Sequence, residues 1–583
     1  ACYLKVNKLH VGTKISDNSG RVVYEKKKTI AFNRGQKINE HRIDSITLAA
    51  PQLWSPDSPH LYHAEVTLYR EDGTVADRVT TRFGVRKIEY SPAFGLKVNG
   101  EKVLLKGIAN HHTLGALGAA AYPRAIEKRL QLLKDFGFNH VRTSHNPYSE
   151  SFLELCDSLG FLVVDELYDK WLTQYAGGRV EWTNLWQHDV PEFVKRDRNH
   201  PSVVMWSLGN ELQTYWSLPF ADWGVTPYRL QNTLLKRYDN TRPVTVAMHP
   251  RGRNQMTDSL PAPLVMETDI ASYNYRYMYF PGDSRRFPHL IFYQSEANTA
   301  MMGPNFYEMD LDKVVGLAYW GMIDYLGESN GWPAKGWAQG IFDISLEPKP
   351  IAWLLRSMFK PNEPVVHIGI VDSDDNLVWN DVMVGTKKMS HHWNRKAGCM
   401  VDLYTYTNAD EVELFVNKRS VGKKTNNRSN PKERNRIKWN KVAYEAGAIE
   451  AVARTGGKLV ARHRIETTGD TKVLKLEADK SCWKADGTDL MHVRVSAVDG
   501  KGRQVPSEQR QLTFAVDGMA AIVGCINGDI TSPEPTVGHS RRLYQGTATV
   551  ILRAQREAGN ITLHVNAPGL KEKTLRLSTV ASH

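Results

Sequence analysis

Two glutamates close long apolar runs: VVMWSLGNE delivers Glu211 and HLIFYQSE delivers Glu296. A carboxyl group at the end of a buried strand suits proton transfer or nucleophilic attack, because burial shifts its pKa and its surroundings fix its direction. Cleavage of a glycosidic bond needs such a pair. One group protonates the departing oxygen while the other attacks, or activates water, on the opposite face of the sugar; a carboxyl separation of about 5–5.5 Å gives retention through a covalent glycosyl-enzyme. The pair must also hold different pKa values. Glu211, flanked by apolar strand and facing a charged partner, is expected to have a raised pKa and start as the acid. Glu296 is expected to stay ionised beside donors such as a tyrosine hydroxyl and Arg142.

These residues need a frame that brings distant segments to one rim. From about Leu96, apolar strand cores alternate with amphipathic stretches, and eight strands end near Asn110, Ser144, Glu166, Asn210, His249, Tyr275, Glu296 and Ile323. Eight parallel strands close a barrel whose working groups lie at their C-terminal ends. Polar clusters sit there: HH at 111–112, RTSHNP at 142–147, DE at 165–166, GNE at 209–211, YNY at 273–275 and QSE at 294–296. Helices are expected over Arg124–Phe136 and Ser149–Leu159 from their apolar stripes. No helix is legible between His249 and Asp269.

Short alternating segments on either side read as all-β, including TKISD, RVVYEKKKTIAFN, HRIDSITLA and HAEVTLYRE before the barrel. The expected organisation is a (β/α)8 TIM barrel flanked by immunoglobulin-like sandwiches: a sandwich over 1–88, the barrel over 89–360, and sandwiches over 361–470 and 471–583.

The totals agree with several domains, since a chain of 583 residues exceeds one core of roughly 100–200 residues. Five cysteines, an odd count without CxxC spacing, indicate neither a disulfide framework nor a zinc site. No stretch of eighteen apolar residues is present, so membrane insertion is not expected. The first residues lack a signal-peptide pattern, which leaves a processed secreted form open. Net charge is +12. The basic run from Asn417 to Lys441 has no aromatic ladder, and it reads as a solvated loop between strands rather than a nucleic-acid surface.

The segments LLKGIANHH, FNHVRTSHNPYSESFLELCDSLGFLVVDE, RDRNHPSVVMWSLGNE and LIFYQSE, in that order, resemble glycoside hydrolase family 2. The resemblance covers residues 1–360 and extends beyond them by architecture alone. It implies Glu211 as acid/base, Glu296 as nucleophile, Asn210 as donor to the sugar 2-hydroxyl, His111 and His145 lining the pocket, and Trp320 as an apolar floor. Tyr275 is placed to hydrogen-bond the nucleophile, with Tyr273 and Tyr277 competing. Trp332 and Trp337, after the eighth strand, are candidates for a platform under further sugar units. The family also leads one to expect a jelly-roll domain ahead of the first sandwich, which this sequence does not include.

Departures narrow the expectation. Where large β-galactosidases of the family place magnesium ligands, this chain has Asp169-Lys170-Trp171, so no metal and no cofactor is expected. The Asn-x-Lys that grips a glucuronate carboxylate in family β-glucuronidases is replaced by Trp337-Ala338-Gln339. The reading is therefore a retaining exo-β-glycosidase, a β-galactosidase first, with β-glucuronidase or β-mannosidase as alternatives and a catalytically silent carbohydrate-binding protein as the alternative of another class. An oligosaccharide or polysaccharide is the partner; a homo-oligomer is left open.

Overall fold

A computed structural model describes residues 8–31, 45–171, 180–212, 219–249, 261–329, 331–374, 377–379 and 382–582. At its centre eight parallel strands close a barrel: Leu105–Asn110, His140–Thr143, Leu162–Glu166, Val203–Asn210, Val244–Met248, Ala271–Asn274, Phe292–Ala297 and Gly316–Trp320. Each of the eight expected strands is present; the last ends at Trp320, earlier than Ile323.

The strand residues are buried almost without interruption, as in a sheet covered on both faces. Pro123–Asp135 and Glu150–Leu159 are helices within a residue or two of expectation. In the first, Ile126, Leu130 and Leu133 form the buried stripe, Pro123 opens the helix and Phe136 ends it. Gly160 stops the second in the left-handed region. Between His249 and Asp269 the described residues hold only the 3-10 turn Pro263–Glu267, and residues 250–260 lie outside the described set.

Ahead of the barrel, Lys8–Asp17, Val22–Ala31, Tyr62–Tyr69 and Val75–Phe83 make one four-stranded antiparallel sheet. The strand expected at 41–49 does not form over 45–49, and 41–44 lie outside the described residues. This sheet is anchored to the barrel through Trp54, fully buried, whose indole N–H donates to the Asp157 carbonyl at 2.8 Å. Arg86 adds two bonds, to the carbonyls of Pro201 at 2.6 Å and Val203 at 2.7 Å.

After the barrel come two pairs of four-stranded sheets. The first pair encloses a core containing Ile368, Trp393, Leu403, Val412 and Leu414, the second a core containing Trp483, Val493, Phe514, Val550 and Leu563. The basic run is a loop only over 426–435, and its two ends are strands. Arg419–Thr425 and Arg436–Ala443 are strands of opposite sheets of the first pair, and lysines such as Lys423 and Lys438 fall on their outward positions. Strand alternation places charge on the solvent side without breaking the ladder.

Candidate active site

The barrel strands lose their regular register just where the chemistry-bearing side chains begin. Shifts occur between Ser207 and Asn210, between Ser272 and Asn274, and between Gln294 and Ala297. Such irregularities re-aim side chains at a barrel rim. Two residues beyond or beside them hold positive φ, Glu211 at 53° and Tyr275 at 57°. Backbone conformations that side chains rarely adopt concentrate where function constrains geometry.

Arg142, fully buried, is the hub. Its guanidinium donates to Glu296 Oε1 at 2.8 Å, to both Glu166 oxygens at 2.8–3.1 Å and to Asn210 Oδ1 at 3.0 Å. His145 Nδ1 lies 2.6 Å from Glu166 Oε1, which holds this ring beside the Arg142 hub. Glu166 Oε2 also accepts from Ser207 at 2.7 Å. Burial pushes the Glu166 carboxyl up, yet Arg142 and His145 pull it below its ordinary value. With both oxygens engaged, Glu166 is an anion that orients Arg142 and has no lone pair left for attack.

Glu296 has fewer bonds. Arg142 and the Tyr275 hydroxyl hydrogen-bond its carboxyl, and His145 Nε2 stands 3.8 Å away. Tyr273 and Tyr277 bond elsewhere, to Asp283 at 2.9 Å and Glu308 at 2.7 Å. The pKa expectation needs correction at Glu296. Burial raises its carboxyl above the ordinary value, the Glu211 charge adds to the rise, and Arg142, His145 and Tyr275 oppose it without cancelling it. The sequence shows the donors but not the depth of burial.

Glu211 faces the same space. Asn274, whose backbone is the register partner of Glu296, extends its amide nitrogen to Glu211 Oε1 at 3.3 Å and to Asn210 Oδ1 at 3.0 Å. His249 Nε2 lies 2.6 Å from Glu211 Oε1 in close contact, although neither ring nitrogen of His249 meets hydrogen-bond geometry with a described residue. Glu166, His249 and Asn274 were not singled out as site residues from sequence. The strand-end positions of all three were visible there; which neighbours they would touch was not.

Aromatic rings close one side. The Trp320 indole stacks on the His145 imidazole at 5.3 Å and meets His111 edge-on at 5.2 Å, so it backs the histidines. His111 Nε2 is 3.7 Å from Glu328 Oε1. Trp337 does not present a platform. It is 2% exposed, its N–H donates to the Gly321 carbonyl at 3.0 Å, and its ring stacks on Tyr325. Trp332, by contrast, is 77% exposed. An indole with an N–H to satisfy is drawn inward when a carbonyl is in reach, a contact that text spacing does not reveal.

The site that would hold magnesium in other members does not fit a divalent cation here. Lys170 Nζ donates to Asp169 Oδ1 at 2.7 Å and to the Asn210 carbonyl at 3.0 Å, so an ammonium already neutralises those oxygens. At the position of the glucuronate grip, Gln339 Oε1 accepts from the Thr386 N–H at 3.3 Å. The nearby Lys349 is paired with Asp324 at 2.7 Å.

Family models match in chain order: "Glycosyl hydrolases family 2" over residues 5–86, "Glycosyl hydrolases family 2, TIM barrel domain" over 94–279, a domain of unknown function over 398–461, and "Glycoside hydrolase family 2 C-terminal domain 5" over 474–576. A β-galactosidase of Bacteroides ovatus is 31% identical over 97% of this chain and 72% of its own length. The chain belongs to glycoside hydrolase family 2. A β-glucuronidase of Formosa agariphila, 26% identical over 97% of this chain, is matched over 56% of its own length, so the chain spans from about half to three quarters of these two relatives. A glycosyl hydrolase family 2 member from Bacteroides cellulosilyticus superposes with a TM-score of 0.88 at 29% identity, covering 98% of this chain and 74% of that one. Membership in family 2 supports a glycosidase and suggests a glycan as its substrate. No helix among the described residues is long and apolar enough to cross a membrane.

Proposed function

We propose that the chain is a retaining exo-β-glycosidase that removes a terminal β-linked hexose, with β-galactosides as the substrate class. The observation that carries this reading is the position of Asn274, beside Glu296 in the barrel register and with its amide on the Glu211 carboxylate. Its backbone pairs with Glu296 and its side chain reaches Glu211, while the third carboxylate, Glu166, is saturated by Arg142, His145 and Ser207. Two reactive acids thus flank one space.

In the first step Glu211 gives its proton to the glycosidic oxygen as the bond from that oxygen to the anomeric carbon breaks. A Glu296 carboxylate oxygen bonds to that carbon from the other face. In the second step the Glu211 anion takes a proton from water, whose oxygen displaces Glu296 and regenerates both groups. Arg142 and Tyr275 hold Glu296 for attack and accept the change in its charge. Asn210, fixed by Arg142, Asn274 and Asp169, is the partner assigned to the 2-hydroxyl. His111, His145 and Trp320 line the sugar pocket.

Galactoside is favoured over glucuronide because, among the described residues, the Gln339 position offers an amide in place of a lysine and the nearby Lys349 is neutralised by Asp324. The β-glucuronidase relative from Formosa agariphila keeps glucuronide as the second reading. β-Mannosidase is the third, and a silent glycan-binding protein the reading of another class. Parallel assay of nitrophenyl β-galactoside, β-glucuronide, β-mannoside and β-glucoside decides among them. Highest kcat/KM on the galactoside is expected; highest on the glucuronide replaces the sugar, and binding without turnover of any of the four overturns the enzyme.

A further inference from the structure

Past the eighth strand the chain folds back as a short hairpin, Tyr325–Leu326 against Gly336–Trp337. Its base is rigid. The Trp337 ring stacks on Tyr325, the Gly327 N–H donates to the Lys335 carbonyl at 3.0 Å, and a Cβ on Gly336 would lie 1.9 Å from the Tyr325 carbonyl oxygen, so only glycine fits there. Tyr325, 1% exposed, meets His111 edge-on at 5.1 Å and Trp320 at 6.4 Å. The hairpin is thereby built onto two of the side chains assigned to line the sugar pocket.

Glu328 is the carboxylate that this hairpin delivers. Its backbone is left-handed, with φ of 50°, a conformation that glutamate rarely adopts and that concentrates at functional sites. The Tyr325 hydroxyl donates to Glu328 Oε2. Oε1 stands 3.7 Å from His111 Nε2, beyond hydrogen-bond length, and accepts no hydrogen bond from a described residue. Burial pushes the Glu328 carboxyl up, but His111 and the Tyr325 hydroxyl hold it below its ordinary value. It is therefore an anion with lone pairs to spare, and a third of its side chain is open.

The charges around it are unbalanced. Among the described residues Glu166, Glu296 and Glu328 are set against one guanidinium, that of Arg142, while Lys170 and Lys349 are spent on Asp169 and Asp324. A proton on His111 reduces this excess without reversing it. Burial, then Glu296 and Glu211, and last Glu328 push the Tyr275 hydroxyl up, so Glu328 acts on the space that holds the two proposed catalytic acids. A sugar hydroxyl can donate to an open carboxylate oxygen; a sugar carboxylate only accepts, and it brings like charge.

We propose, resting on the glycosidase reading above, that Glu328 is a specificity-determining residue: its open oxygen accepts a hydrogen bond from a hydroxyl of the bound sugar, and its charge disfavours sugars that carry a carboxylate. It binds substrate and takes no part in the proton transfers.

The test compares two matched pairs of nitrophenyl substrates, β-galactoside with β-galacturonide and β-glucoside with β-glucuronide, each pair differing only in the carboxylate. In the full chain the neutral member of each pair is expected to have the higher kcat/KM, and the gap should narrow as salt is raised from about 0.01 to 1 M. Glu328→Gln keeps the shape and removes the charge; the uronide-to-neutral ratio is expected to rise about tenfold and to lose its salt dependence. Glu328→Ala should lower kcat/KM on the neutral glycosides roughly 10–100-fold. A ratio unmoved in Glu328→Gln overturns the proposal, as does an unchanged neutral rate in Glu328→Ala. A wild-type preference for the uronide of both pairs overturns it without any variant, should the variants not fold. Faster turnover of the gluco pair strikes the galactoside reading alone, because the ratio within that pair still reports on Glu328. Where nothing is turned over, the same ratio is read from calorimetric Kd values for galactose and galacturonate.

Discussion

Tyr275 holds Glu296 at two points: its backbone N–H donates to the Glu296 carbonyl at 2.7 Å, and its hydroxyl hydrogen-bonds the Glu296 carboxyl. The left-handed backbone at Tyr275, with φ of 57°, turns the ring into the site instead of along the strand. The side chain best able to orient the proposed nucleophile is thereby locked to it by main chain as well as by hydroxyl.

Tyr275→Phe removes the hydroxyl and leaves the ring. A hydrogen bond to a charged group contributes about 1.5–3 kcal/mol, so kcat/KM is expected to fall roughly 10–100-fold, with the melting midpoint little changed. Steady-state kinetics beside a thermal melt checks this. An unchanged kcat/KM removes Tyr275 from the account.

The raised carboxyl of Glu296 sets the sign of the pH dependence. Attack requires the anion, and a raised pKa means that the anion forms only at higher pH than for an ordinary glutamate. The acidic limb of the kcat/KM profile is therefore expected above the usual glutamate value of about 4.3. Tyr275→Phe should move that limb higher still, since the lost hydrogen bond favoured the charged form. A limb at or below the ordinary value contradicts the burial argument.

Arg142 neutralises two buried carboxylates at once. Arg142→Met leaves Glu166 and Glu296 facing each other without a cation, and the expected cost is about 3–5 kcal/mol. The pH sign follows from Glu166, whose pKa is lowered in the folded state. Its contribution is present above the unfolded glutamate value and lost as pH falls through the lower folded one. Wild type should lose stability over that acid window, and Arg142→Met should show a shallower loss there. Melting midpoints across the acid range read both.

Lys170 stands in for a cation between Asp169 and the Asn210 carbonyl. Dialysis against EDTA is expected to leave kcat and KM unchanged. Lys170→Met should weaken the hold on Asn210 and lower kcat/KM. Activity lost on chelation and restored by magnesium overturns this part of the account.

Much of this site was legible before any coordinates. Strand cores such as VVMWSLGN and LIFYQSE are apolar and bounded by polar residues, so the strand ends and their polar tips follow from text. Local signals carry Glu211, Glu296 and Arg142 for that reason. What the text does not carry is which tips meet. Asn274 pairs along the backbone with Glu296 and bonds Glu211, and His249 touches Glu211, through contacts 22 to 63 residues apart in the chain. Trp337 illustrates the opposite error, since its neighbours Trp332 and Gly336 suggest an exposed loop while a carbonyl at Gly321 draws it inside. The raised carboxyl of Glu296 belongs to the same class: its donors are legible, its burial is not.

The central claim is covalent attack by Glu296. Incubation with an activated 2-deoxy-2-fluoro glycoside of the sugar turned over best, followed by peptic digestion and mass spectrometry, tests it directly. The account expects one glycosyl increment, located on Glu296 in the peptide carrying QSE. An increment on Glu211 or Glu166 contradicts it, and so does release of product with inverted anomeric configuration.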